Sequence, residues 1–291
     1  MNKENDIWHS LRGDNIGGSE TAALFGESPY LSYYKLWAIK FGLIEPDNLD
    51  EEERIEAGNF IEPAAIAWYN KRNGTTFYQP KVYIKHKTVK GMACTPDAFD
   101  AENKNIMAQV KNVDSSEFHE KWQAEGRTIK KAPLHILLQC QHEMECADID
   151  ESILIVTVGG NRLYSMSIMR DREIGEMICE AVNKFWNTLH EPKPEFERDI
   201  ETINKIRQTR LSKLLATVEE DLSFNKYLYK ITRDVMKFNF KKKKLEDEIN
   251  KITAEIIHLL GNAEVAKVKD VIIKLPRGKK TPSYISTKEL F

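Results

Sequence analysis

Met92-Ala93-Cys94-Thr95-Pro96-Asp97-Ala98-Phe99, followed by Ala108-Gln109-Val110-Lys111-Asn112, is the stretch on which the fold turns. Residues 91–99 and 106–113 have the apolar and β-branched character of strands. The interval Asp100-Ala-Glu-Asn-Lys-Asn105 is turn-rich, so the two strands read as a hairpin. Successive strand side chains alternate between faces, which puts Gln109 and Lys111 on one face. Asp97, at the end of the first strand, meets them across the hairpin.

Moving outward, residues 75–78 and 82–86 read as further strands. A helix from Glu52 to about Arg72 carries Ile55, Ile61, Ala65, Ile66 and Tyr69. Residues 13–46 look helical with glycine-marked turns. Ser19 is placed to cap the segment Thr21-Ala-Ala-Leu-Phe25, Gly26 to Pro29 breaks it, and a second amphipathic stretch stops at Gly42. Residues 46–53 form an acidic linker. Downstream, a helix over 134–144 follows Pro133, strands cover 151–158 and 162–169 around Gly159-Gly160-Asn161, and a long amphipathic helix covers 171–189. This order implies an α+β fold, a mixed β-sheet flanked by helices, over residues 1–196.

Residues 197–291 differ in pattern. Phe224, Leu228, Ile231, Val235, Phe238, Leu245, Ile249, Ile252, Ile256 and Leu259 keep a four-three spacing broken only at Lys242, and Gly261-Asn262 ends it. A shorter helix over 203–218 precedes this seam, so the simplest form is an antiparallel C-terminal helical hairpin. A last strand over 265–275 closes the chain.

The chain has 291 residues, 41% hydrophobic and 30% charged, with a net charge of -2. A nucleic-acid partner therefore needs a local basic groove, not a global charge excess. No apolar run approaches the ~18 residues of a membrane span, and no secretory h-region follows Met1. Cys94, Cys140, Cys146 and Cys179 form no C-x-x-C pair and read as reduced thiols of a cytoplasmic protein. His119, His135 and His142 lack a zinc-ligand spacing. Lys237 with Lys241–Lys244, and Arg277-Gly-Lys-Lys280, are basic clusters that fit either a DNA track or a solvated face.

Mg²⁺ is a hard, octahedral ion that takes one or two carboxylates plus carbonyls and waters. Asp97, the Gln109 side-chain carbonyl and the Val110 backbone carbonyl make such a donor set on the hairpin. The Lys111 ammonium, on the Gln109 face, is positioned to orient a water and hold a phosphate. Arg54, Gly58 and Glu62 share one helix face at i, i+4, i+8, with Glu62 as a further carboxylate. Gln139 and Gln141 lie on the 134–144 helix.

Gly17-Gly-Ser19-Glu, Gly58-x-x-x-Glu62-Pro, Thr95-Pro-Asp97, Gln109-x-Lys111 and Gln139-x-Gln141-His occur in that order over residues 8–195. Together they resemble the lambda-exonuclease, or YqaJ-like viral recombinase, branch of the PD-(D/E)XK nucleases. The resemblance implies a PD-(D/E)XK nuclease-like core, a sheet flanked by helices, and 5′→3′ digestion of one strand of duplex DNA from its ends. It implies two Mg²⁺ ions, with Mn²⁺ as a substitute. Products would feed a single-strand annealing protein, in a ring trimer, for a phage- or prophage-encoded protein in a bacterial cytoplasm. Residue by residue, it implies that Glu62 and Asp97 bind metal, that Gln109 stands at the family's Glu, and that Lys111 is the catalytic lysine. Gln139 or Gln141 would lie near phosphate and metal, and Arg12 and Ser19 would contact the DNA 5′ phosphate.

Gln109 is the anomaly. An amide keeps one coordinating oxygen but removes a negative charge and a proton acceptor. It fits a natural variant of the triplet, a change that traps substrate, or a chain that binds DNA ends without cutting. An endonuclease of the same superfamily is a further alternative.

Overall fold

The computed structural model describes residues 13–47, 52–80, 82–188, 190–212 and 225–286. The chain divides into two compact units, Met1–Leu215 and Ala216–Phe291.

The first unit is built on a seven-stranded mixed sheet. Its strands are β1 (Phe77–Tyr78), β4 (Ala98–Asp100), β5 (Ile106–Val113), β6 (Gln123–Glu125), β7 (Thr128–Lys131), β8 (Glu151–Val158) and β9 (Arg162–Met169), in the order β1-β4-β5-β8-β9-β7-β6. β5 is central: it pairs antiparallel with β4 and parallel with β8. A parallel neighbour needs a crossover, and residues 114–150 supply it. That crossover contains α4 (Ser115–Lys121), the β6–β7 hairpin and α5 (Leu134–Ala147). The sequence reading missed α4 and this hairpin, since Gln123, Ala124 and Glu125 are all exposed and carry no alternation.

Alternation along β5 and β8 divides the core between the two faces of the sheet. Met107, Val113, Leu154, Val156 and Val158 pack with Ile136, Cys140 and Met144 of α5. Ala108, Val110 and Ile155 pack with Ala65 and Ile66 of α3 (Glu53–Asn73). Each fully buried aliphatic side chain of this kind stabilises by roughly 1.5–3 kcal/mol.

A third cluster joins α1 (Thr21–Leu24) and α2 (Tyr33–Lys40) to α6 (Arg172–Trp186). A short ribbon of β2 (Ile84–Lys85) and β3 (Ala93–Cys94) lies beside it. Ile16 pairs with Met92: its N–H donates to the Gly91 carbonyl at 2.7 Å, and its own carbonyl accepts from Ala93 at 3.1 Å. This bridge brings residues 17–20 alongside the strand that leads to Asp97.

α7 (Phe196–Ser212) belongs to the first unit, not to a C-terminal appendage. Ile203 and Ile206 enter the cluster around α2. Asp199 is buried, accepts from Ser32 Oγ, and takes the Glu195 N–H at 2.7 Å. The expected hairpin is therefore not formed by this helix: its apolar face is already used.

The second unit holds α8 (Lys226–Leu260), 35 residues long, which has no buried residue. It also holds an antiparallel sheet of β10 (Val265–Val268), β11 (Val271–Lys274) and β12 (Ser283–Ser286). The single closing strand expected over 265–275 is thus two strands, turned at Lys269-Asp270, where Lys269 adopts φ 53°. Phe224, the first residue of the seam, lies outside the described residues. No helix among the described residues is long and apolar enough to cross a membrane.

Candidate active site

Strand register does the positioning. Ala98 lies opposite Ala108, so Asp97, one residue before β4, falls beside Gln109. Gln109 Nε2 donates to Asp97 Oδ2 at 2.6 Å, and the Val110 N–H donates to the same oxygen at 2.7 Å. The N–H and C=O of a strand residue leave on the same side, so the Val110 carbonyl faces this edge too.

Gln109 and Lys111 share the α5 face of the sheet. Lys111 Nζ donates to Gln139 Oε1 at 2.9 Å, and Gln139 Nε2 donates to Glu143 Oε1 at 2.8 Å. Gln139 and Glu143 are one helical turn apart and so lie on one side of α5. Glu62, on α3, accepts from Gln79 Nε2 at 2.7 Å.

Burial sets the electrostatics. The Asp97 pKa is pushed up to about 7, first by desolvation and further by the Glu62 charge, against the opposing pull of Lys111 and the Val110 N–H. Glu143 is pushed up to about 8, by desolvation and then by Asp97, while its hydrogen bond from Gln139 and the Lys111 charge pull it down. Two carboxyls thus share a poorly solvated site with one lysine.

Two oxygens there are orphans. Gln109 and Glu143 are each 3% exposed, and Gln109 Oε1 and Glu143 Oε2 accept no hydrogen bond. A buried acceptor without a donor is destabilising by about 1–3 kcal/mol. A hard cation is the partner these oxygens fit, since Asp97, Gln109, Glu143, Glu62 and the Val110 carbonyl offer oxygen alone. The side chains are not closed around a point: Glu62, Asp97 and Glu143 do not bring three ligand atoms within 4.8 Å of one another.

Glu143 is the residue that sequence reasoning passed over. Its signal was its spacing: a carboxylate four residues after Gln139, on the buried side of α5. Gly18 explains the N-terminal glycines. A Cβ there would lie 2.6 Å from Glu143 Oε1 and 3.1 Å from Gln139 Cγ, so only glycine lets this turn sit against the site.

Other expected residues take different places. Gln141 does not face the site; it donates to the Met169 carbonyl at 2.9 Å and accepts from the Asp171 N–H at 2.9 Å. It ties α5 to the β9–α6 connection. Of the two glutamines, Gln139 is the one that faces Lys111. His142 is fully buried between Thr21 Oγ1 and the Ala93 carbonyl, and burial lowers its pKa to about 4. Ser19 is exposed and is not a cap: Gly17 stands at the N-cap of the 3-10 turn Gly18–Glu20, its N–H donating to Glu20 Oε2 at 2.9 Å, and Glu20 stands at that of α1. Gly58 opens onto empty space. Arg12 lies outside the described residues.

Among the described residues, His86, Glu145 and Cys179 do converge within 4.8 Å. His86 Nδ1 accepts the N–H of Val89 at 2.9 Å, so the ring proton sits on Nε2, the atom that faces the other two. The thiol pKa is pushed up to about 11, chiefly by burial, and Arg170 pairs with Glu145 at 2.8 Å. The three make a polar contact of partly buried side chains.

Residues 7–150 match the family model of the YqaJ-like viral recombinase domain. The uncharacterized protein YqaJ of Bacillus subtilis (strain 168) is 24% identical over 184 residues, 62% of this chain and 55% of that protein. The chain thus spans about half the length of the curated relative it matches. The crystal structure of an alkaline exonuclease (LHK-Exo) from Laribacter hongkongensis superposes with a TM-score of 0.50 at 17% identity, over 71% of this chain and 99% of that one. A phage related exonuclease from Haemophilus somnus 129PT gives 0.44 at 14% identity, over 59% and 93%. The first likeness identifies the fold of the sheet and its helices, and residues 7–150 of this chain match the YqaJ-like viral recombinase domain.

Proposed function

We propose that the chain is a Mg²⁺-dependent deoxyribonuclease that degrades one strand of duplex DNA from an end, 5′→3′, in phage-type single-strand annealing recombination. The observation that carries this reading is the run Asp97–Gln109–Lys111–Gln139–Glu143 with its two orphaned oxygens. Bound Mg²⁺, or Mn²⁺ in its place, would neutralise phosphate charge and acidify a water. Asp97, Gln109 Oε1, the Val110 carbonyl and Glu143 would hold it, with Glu62 to the side.

Lys111 is held by Gln139, so its ammonium is fixed before substrate arrives. It binds a non-bridging oxygen of the scissile phosphate and keeps the attacking water in line. The water oxygen bonds to phosphorus, the P–O3′ bond breaks, and the leaving oxygen takes a proton from solvent. Glu143, the buried carboxyl held by Gln139, would receive the proton that the water gives up once a bound cation has ionised it.

Gln109 weakens this site without dismantling it. Its amide N–H sits on the carboxylate oxygen where a cation would otherwise act. Gln109→Glu restores a charge and should raise Mg²⁺-dependent degradation of linear duplex DNA. Lys111→Ala should lower it by about 10²–10³-fold. Digestion of linear against covalently closed circular DNA, with Mg²⁺ and Mn²⁺, tests the assignment. Equal cutting of the circle would make the chain an endonuclease. No hydrolysis with either ion, even in Gln109→Glu, would make it a DNA-end-binding module.

A further inference from the structure

α8 presents an apolar stripe that nothing among the described residues covers. Leu228, Val235, Lys242, Ile249 and Ile256 recur every seven residues, and a second apolar set follows three residues after each. Val235, Phe238, Leu245, Ile249 and Ile252 are each more than half exposed. From 228 to 259 the stripe is about 47 Å long. Exposed apolar surface of that extent marks an interface. A strict seven-residue repeat selects another helix as the partner, because only a supercoiled helix keeps such a seam in contact over five heptads.

We propose that α8 pairs with α8 of a second copy of this chain, as a parallel, in-register, two-stranded coiled coil over 228–259. The charges flanking the seam choose this occupant. In a parallel pair the residue before each first-set position faces the partner residue five positions on. Lys241 then meets the partner's Glu246 on both sides of the interface, and the one like-charged layer is Lys242 against its own copy. In the full-overlap antiparallel pairing, Leu228 lies opposite Leu259, Lys241 meets Glu248 twice and Asp234 is brought against Glu255 twice, so attraction and repulsion offset each other. Lys242 is the one polar member of the first set. A polar residue at one such position fixes register and strand number at some cost in stability. In the isolated chain Lys242 leans to Glu246 at 3.8 Å.

The test is the mass of the full-length protein by sedimentation equilibrium, for the wild type and for Val235→Asp/Ile249→Asp. The expected result is that the double variant halves the mass of the particle. A thermal transition of the first unit unchanged from that of the wild type serves as a check that the variant is folded. Leu228→Cys and Leu259→Cys variants then report direction. Each should cross-link to itself under mild oxidation, and an equimolar mixture should give no more 228–259 product than 228–228 product. A wild type that stays monomeric, or an unchanged mass in the double variant, overturns the proposal. A threefold change in mass, or cross-linking only between 228 and 259, overturns it as well.

Discussion

At the scale of single residues, Gln109 and Glu143 have to be read together. The strand lacks a carboxylate at 109, and a buried carboxylate reaches the same site from α5 through Gln139. Glu143→Gln should therefore lower Mn²⁺ affinity by about tenfold or more in calorimetric titration, since charge count governs binding of hard cations. Unchanged affinity would leave Glu143 a structural acid. Gly18→Ala forces a methyl group to 2.6 Å from Glu143 Oε1 and 2.9 Å from its Cγ. It should destabilise the first unit by about 1–3 kcal/mol, seen as a lowered melting temperature. Gln109 and Lys111 were legible as one face because strand alternation places them together, and Asp97 because the hairpin register brings it opposite Gln109. Glu143 was not, because a glutamate on a helix is ordinary until the packing shows which side is buried.

At the scale of elements, the sheet strands with strong patterns were readable: residues 106–113, 151–158 and 162–169 match β5, β8 and β9. The β6–β7 hairpin was not, because its exposed residues carry no apolar rhythm. α7 was misassigned for a different reason. Its pattern is amphipathic like that of its successor, and periodicity does not say which surface a face will meet. The contacts do: Ile203, Ile206 and Asp199 bind it to the first unit. A fragment ending at residue 215 should unfold cooperatively, near the melting temperature of the first unit in the full chain. A fragment ending at 196 uncovers Leu36 and Trp37 and leaves Ser32 without its buried acceptor. It should lose several kcal/mol or fail to fold, by circular dichroism.

At the scale of the whole molecule, the paired carboxyls tie stability to pH. Asp97 and Glu143 have pKa values raised to about 7 and about 8, so the native state holds these protons more tightly than the unfolded chain. Their contribution is fully present below the ordinary carboxylate range and is lost as pH rises toward 8. In a chelator, the melting temperature of Glu143→Gln should therefore fall less steeply between pH 5 and 8 than that of the wild type. Saturating Mn²⁺ should flatten the wild-type profile. Equal slopes in chelator would mean that Glu143 does not titrate in this range.

The register of β5 carries one more consequence, for the order in which the chain assembles. β5 meets β4 through a short turn, but its other edge waits for β8, and residues 114–150 must first be made. During synthesis, Asp97, Gln109 and Lys111 emerge on a hairpin whose long apolar strand has one open side. Such an edge is a template for pairing with another nascent chain until β8 arrives. The same eight-residue pairing that gives the finished site its rigid floor is thus the step at which a growing chain is most exposed to aggregation.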